Sequence, residues 1–231
     1  THNGNEGGRR AGKRQTRRAL LSLDFAGKRD IMKGEKNEMK KTLDEMTLEE
    51  LWMLFPILLK EYNPLYPVWY EKEARKILAT VGDVFRVSHI GSTAVEGLLS
   101  KPTVDILLEL TPRADAEKAA RALKGEWTLM SESEDPWKLS FNKGYTPDGF
   151  AEKVFHLHVR RAGDWDELYF RDYLRENPSV AAKYALLKRE LKEKFERNRD
   201  GYTAAKTDFI KEMTARARLC YGTRYRPKLR P

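Results

Sequence analysis

A single cysteine, Cys220, in 231 residues excludes an internal disulfide and leaves no thiolate cluster to hold zinc or an iron–sulfur group. A reducing, cytoplasmic setting is the expectation that follows. Long apolar runs are also missing. Leu51–Leu59 and Val104–Leu108 are far too short to span a bilayer, so no membrane role is expected. The basic start of the sequence has neither a continuous apolar stretch nor a small-residue cleavage pattern, and a secretion signal is not expected there. Histidine is scarce, four in all, which makes the position of each one informative.

What is present is charge, unevenly spread. The chain carries a formal +9, but residues 1–41 hold twelve Lys and Arg against five acids, and residues 211–231 hold seven against one. Residues 42–210 are left at −4, so the body is mildly acidic and the basic character belongs to the ends. Basic ends can meet RNA phosphates through counterion release or simply solubilise the chain. Hydrophobic residues at 40% and charged residues at 34% suit a folded protein with polar extensions rather than a disordered one.

Regular structure is expected from Thr47, where Thr47-Leu48-Glu49-Glu50 matches a capping box and Leu48, Leu51, Trp52, Phe55 and Leu58 follow at helical spacing. A second helix is expected from Trp69 to Leu78, ended by Gly82. Strand patterns cover Val84–Ile90 and Thr103–Leu110, with Gly91-Ser92-Thr93 and a short helical piece toward Leu99 between them. Thr111-Pro112 predicts a helix reaching Leu123, and Trp127–Met130, Trp137–Asn142 and Val154–Val159 predict three further strands. Asn177-Pro178 then opens a helix striped by Val180, Tyr184, Leu187, Leu191 and Phe195. A last helix is expected from Thr203 to Arg218, with a basic remainder that frays. The class is α+β: a mixed β-sheet with flanking helices and a C-terminal helical segment.

Chemistry concentrates near Gly91. A strand running into Gly91-Ser92 and a helix start aims unpaired amides outward and forms an anion cradle, to which Ser92, Thr93 and Lys101 would add donors. Asp105 sits within an apolar strand, where a carboxylate needs a partner, and shares its strand face with Leu107 and Glu109. His156 and His158 also share a face, and with His89 they lie on strands bracketing the cradle, able to ligate metal or move protons. Tyr184 with Lys188, and Tyr202 with Lys206, stand at helical i,i+4 spacing and each can present a ring and an ammonium along one side.

The segments His89-Ile90-Gly91-Ser92-Thr93-Ala94-Val95, Lys101-Pro102-Thr103-Val104-Asp105-Ile106-Leu107, His156-Leu157-His158-Val159 and Phe170-Arg171-Asp172-Tyr173-Leu174-Arg175, with the two Tyr/Lys pairs, resemble the GrpB family, a branch of the nucleotidyltransferase superfamily. The resemblance spans about Met46 to Ala215. It implies a nucleotidyltransferase-like domain over 39–219, a flexible basic arm over 1–38 and a basic tail over 220–231. It also implies metal-dependent transfer of a nucleotidyl group from a nucleoside triphosphate to an unknown acceptor. Asp105, His158 and His156 would hold Mg²⁺ or Mn²⁺ and act in catalysis. His89, Gly91, Ser92, Thr93, Lys101, Lys188 and Lys206 would hold the nucleotide. One departure counts against transfer: where nucleotidyltransferases carry a second acid, this chain has Leu107. The alternative is a noncatalytic protein that binds a nucleotide, another anionic ligand or RNA on the same scaffold.

Overall fold

The computed structural model describes residues 41–131, 135 and 137–228. The expected arm of residues 1–38 and the last three residues of the expected tail lie outside them. Thr47 caps the first helix as its sequence requires: its hydroxyl accepts the Glu50 amide at 3.2 Å, and the Glu50 carboxylate accepts the Thr47 amide at 2.7 Å. Helix α1 (Leu48–Leu54) follows. Its apolar spacing continues to Leu58, but Pro56 drives Phe55 out of helical backbone, to φ −121° and ψ 64°, and the helix stops.

Helix α2 (Tyr66–Thr80) carries Pro67 in its first turn, starting earlier than Trp69. Strand β1 (Val84–Ile90) leads to a single 3₁₀ turn, Ser92–Ala94, in place of the helical piece expected toward Leu99. Strand β2 (Thr103–Leu110) follows. Helix α3 (Ala116–Leu123) begins beyond Thr111-Pro112, because the Asp115 carboxylate accepts the Lys118 amide at 3.0 Å and caps it there. Strands β3 (Thr128–Ser131), β4 (Leu139–Thr146) and β5 (Gly149–Arg161) complete the sheet.

Helix α4 (Asp166–Glu176), which the apolar stripes did not single out, precedes α5 (Pro178–Phe195). The helix expected over Thr203–Arg218 is two helices, α6 (Arg199–Ala205) and α7 (Thr207–Tyr221). The first starts early because the Asn198 side chain accepts the Gly201 amide at 2.8 Å.

The five strands lie in the order β1-β2-β5-β4-β3, with β2 and β5 parallel and the other neighbours antiparallel. The fold is therefore the mixed-sheet α+β arrangement read from the sequence. One face presents Val104, Ile106, Leu108, Phe141, Leu157 and Val159 to α2 and α3, forming the main core with Tyr66, Ile77, Ala119 and Leu123. The other face is closed in patches. Leu168 of α4 packs on Ile90 and Leu107, and Leu51 of α1 and Phe55 just after it pack on Tyr145 and Phe150 of the β4–β5 hairpin. Between those patches the second face stays open as a cleft.

The described residues after Arg218 do not fray. Tyr225 folds back against Tyr169 with ring centroids 5.2 Å apart, donates its hydroxyl to Asp172 and accepts from Arg171 at 3.0 Å. An aromatic ring with a paired hydroxyl has more to gain docked than solvated. Among the described residues no helix is long and apolar enough to cross a membrane.

Candidate functional site

Strand register decides which of the candidate residues meet. Asp105 pairs with His156 and Leu107 with His158 across parallel neighbours, so all four point to the open face. The Asp105 carboxylate lies 3.3 Å from His156 Nδ1 and 3.8 Å from His158 Nε2. Burial alone would raise the Asp105 pKa, but the two imidazoles more than reverse it and hold the carboxyl well below its usual range. Burial also pushes His156 below the ordinary imidazole range, against the pull of Asp105.

A neutral His156 fits its surroundings. With the proton on Nδ1 facing Asp105, Nε2 accepts from the Tyr145 hydroxyl at 2.9 Å, and Arg199 donates to that hydroxyl oxygen at 2.9 Å. The result is a continuous chain, Arg199–Tyr145–His156–Asp105. Neither Tyr145 nor Arg199 stood out in the sequence. Simple alternation sets Tyr145 on the face of Phe141, in the core. It reaches the cleft because the register shifts between Lys143 and Tyr145, at Gly144. There φ is +93° and a side chain would press on the Val154 backbone, 3.1 Å away. The signal available was a glycine inside a strand. Arg199 falls between the helix stripe that ends at Phe195 and the helix expected from Thr203.

Gly91 is the residue that lets the turn approach Asp105. Its φ is +70°, and a Cβ there would overlap the Asp105 carboxylate, with Cγ 3.1 Å away. Ser92 accepts from Lys188 Nζ at 3.1 Å, and Lys188 also donates to the Leu99 carbonyl while its ammonium sits 4.5 Å over the Tyr184 ring. Lys188 is 2% exposed, and burial, then repulsion from Lys206, lowers its pKa to about 7.

The cleft has a volume of about 380 Å³. Its floor is Lys101, Thr103 and Asp105 from the β2 end of the sheet, His156 of β5 and Tyr145 of β4, with Met130 at the β3 edge. Arg199, Asp200, Thr203 and Lys206 from α6 and its C-terminal cap form one wall, and Leu51 and Trp52 of α1 with Phe55 just after it the other. Three cations converge there. Burial lowers Lys101 to about 7, helped by repulsion from Arg199 and Lys206, and lowers Lys206 to about 8. Lys206 stands 4.2 Å over the Tyr202 ring and Lys101 stands 6.0 Å from it.

Gly91, Ser92, His158 and Lys188 are not among the residues lining the cleft, and His89 and Thr93 are placed elsewhere. His89 pairs with Ile106 and so points to the opposite, core face, where it stacks on Tyr70 at 4.8 Å. Thr93 donates to the Thr103 carbonyl at 3.1 Å, which leaves its oxygen to accept from His89 Nε2 at 3.0 Å. Burial lowers His89 to about 4, so it is a neutral packing residue. Leu107 is fully buried against Ile90 and Leu168. Glu109, the other acid on the Asp105 face, is consumed by Arg86 at 2.5 and 2.9 Å and by the Gly163 amide at 3.1 Å.

The chain is matched over residues 56–216 by the model of the family described as GrpB protein. It belongs to the GrpB family. A UPF0157 protein of Halalkalibacterium halodurans is 34% identical over 80% of this chain and 97% of its own length. The glutamate-rich protein GrpB of Alkalihalophilus pseudofirmus is 30% identical over 68% of this chain and 93% of its own. The crystal structure of conserved protein GrpB from Enterococcus faecalis superposes with a TM-score of 0.61 at 28% identity, covering 71% of this chain and 99% of that one. This GrpB chain thus has the family's fold around the cleft.

The fit of a metal follows from the donors. Mg²⁺ takes oxygen ligands and Mn²⁺ prefers them, whereas the Asp105 group offers one carboxylate and two imidazoles, one of them engaged by Tyr145. Among the described residues no group of three or more His, Cys, Asp or Glu side chains is arranged to hold a metal ion. These three residues do not by themselves fit Mg²⁺ or Mn²⁺.

Proposed function

We propose that the cleft binds the phosphates of a nucleotide, held by Lys101, Arg199 and Lys206 beside the Asp105–His156 pair. The observation that carries this reading is the convergence of three cations on one 380 Å³ cleft. Burial, with repulsion from Arg199 added, depresses Lys101 and Lys206, and an arriving polyanion favours their charged forms. Isothermal titration of the folded protein with tripolyphosphate and with nucleoside triphosphates tests it. Saturable binding, weakened about tenfold or more in Lys206→Ala, is the expected outcome. No heat of binding from any of these anions would contradict it.

Nucleotidyl transfer on the same site is the second reading, favoured by the press of Asp105 against the Gly91 turn. An acceptor hydroxyl would attack the α-phosphorus, the new O–P bond forming as the bond to the leaving pyrophosphate breaks, and the hydroxyl proton would pass to solvent. A divalent cation carried in with the triphosphate would supply charge neutralisation there. Pyrophosphate release that depends on acceptor and is lost in Asp105→Asn would establish transfer. Tight nucleotide binding without turnover across an acceptor panel would leave a binding protein.

A further inference from the structure

The cleft is not uniform along its length. Across the sheet order its lining runs from Lys101 and Asp105 on the β2 side, through His156, to Tyr145 and then Met130 at the β3 edge. Three strand spacings separate those ends, roughly 14 Å. The cleft floor is charged on the β2 side and ends on Met130, and α1 contributes Leu51 and Trp52 to the lining. A ligand that filled the cleft would carry its charge at one end and a flat or greasy group at the other.

Trp52 is part of that lining. Helix α1 anchors itself to the hairpin through Leu51, Leu54 and Phe55, with the Phe55 ring 4.9 Å from Tyr145 and 5.0 Å from Phe150. Trp52 takes no part in that packing. Among the described residues none of the apolar clusters includes it and no other ring stacks on its indole, although it is half-buried and lines the cleft. A large aromatic surface held beside a cavity without a packing role is suited to receiving another flat ring.

We infer that Trp52 is the base-recognition residue of this cleft, its indole stacking on the aromatic base of a nucleotide whose phosphates lie at the Lys101 end. The inference rests on the phosphate-binding reading above and adds the chemical class of the other half of the ligand. Stacking is tolerant of base identity, so purine nucleotides of either kind are accepted and the larger ring binds better than a pyrimidine. Met130 also lines the cleft and supplies a soft second surface.

The test compares two probes on the full chain, adenosine triphosphate and tripolyphosphate, by calorimetry. Wild type should bind the nucleotide more tightly than the base-free anion. Trp52→Ala should weaken the nucleotide about five- to a hundred-fold while leaving tripolyphosphate within about twofold, and Trp52→Phe should keep most of the nucleotide affinity. Should Trp52→Ala fail to fold, Met130→Ala carries the same comparison with a smaller loss. Equal wild-type affinity for the two probes, or equal weakening of both in Trp52→Ala, overturns the role of Trp52 and leaves the cation wall standing. Binding of neither probe removes both.

Discussion

Asp105, Leu107 and Glu109 share one strand face and meet three different fates, which is where the account is decided at the scale of the residue. Leu107 closes the apolar contact with α4, Glu109 is neutralised by Arg86, and only Asp105 reaches the cleft with its charge intact. Alternation along β2 and β5 made it legible that Asp105 shares a face with Glu109 and that His156 and His158 share one. The face of His89 was not legible, because it depends on which β2 residue it pairs with, and register is set by tertiary packing. Gly91 offers a direct check. Gly91→Ala places a Cβ against the Asp105 carboxylate in backbone with φ of +70°, so it should lower stability by about 1–3 kcal/mol in chemical denaturation and weaken phosphate binding. An alanine variant as stable as wild type with unchanged affinity would show that the turn tolerates a side chain and that the close approach is incidental.

At the scale of the element, short signals located helices better than apolar stripes did. The Thr47 capping box and the strand limits Val84–Ile90 and Thr103–Leu110 were readable from local chemistry. The ends of α1, α3 and α6 were set by Pro56, Asp115 and Asn198, single residues whose effect outweighs periodicity. The bulge that turns Tyr145 toward His156 depends on Gly144, and no spacing rule predicts which face follows it. The segment after α7 behaves as a clasp. Tyr225 bonds Asp172 and Arg171, and Arg171 in turn donates to the His89 carbonyl at 3.0 Å, two residues before the Gly91 turn. Tyr225→Ala should therefore reduce stability by about 1–3 kcal/mol, and hydrogen exchange should show loss of protection at Ile90 and Gly91 beyond that global change. Exchange rates there that follow global stability alone would make the clasp a purely structural closure.

At the scale of the whole molecule, the +9 charge does not point to the cleft. Arg216, Arg218 and Arg224 near the C-terminus are paired with Glu212, Asp164 and Glu176, at 2.7, 2.9 and 3.0 Å. Lys101, Lys188 and Lys206 lie in an otherwise mildly acidic body, and burial holds them at about 7, 7 and 8. Between those values and the ordinary lysine range the unfolded chain binds more protons than the native one, so the free protein gains stability from these groups as pH rises. A bound polyanion favours the charged lysines and acts in the opposite sense: protons are taken up on binding, and affinity falls as pH climbs through 7 and 8. Calorimetric titration with tripolyphosphate from pH 6.5 to 9, repeated in buffers of different ionisation heat, reads both quantities at once. The account predicts net proton uptake near pH 8 and an affinity about tenfold or more weaker at pH 9 than at pH 7. Binding that is independent of pH and releases or absorbs no protons would contradict it.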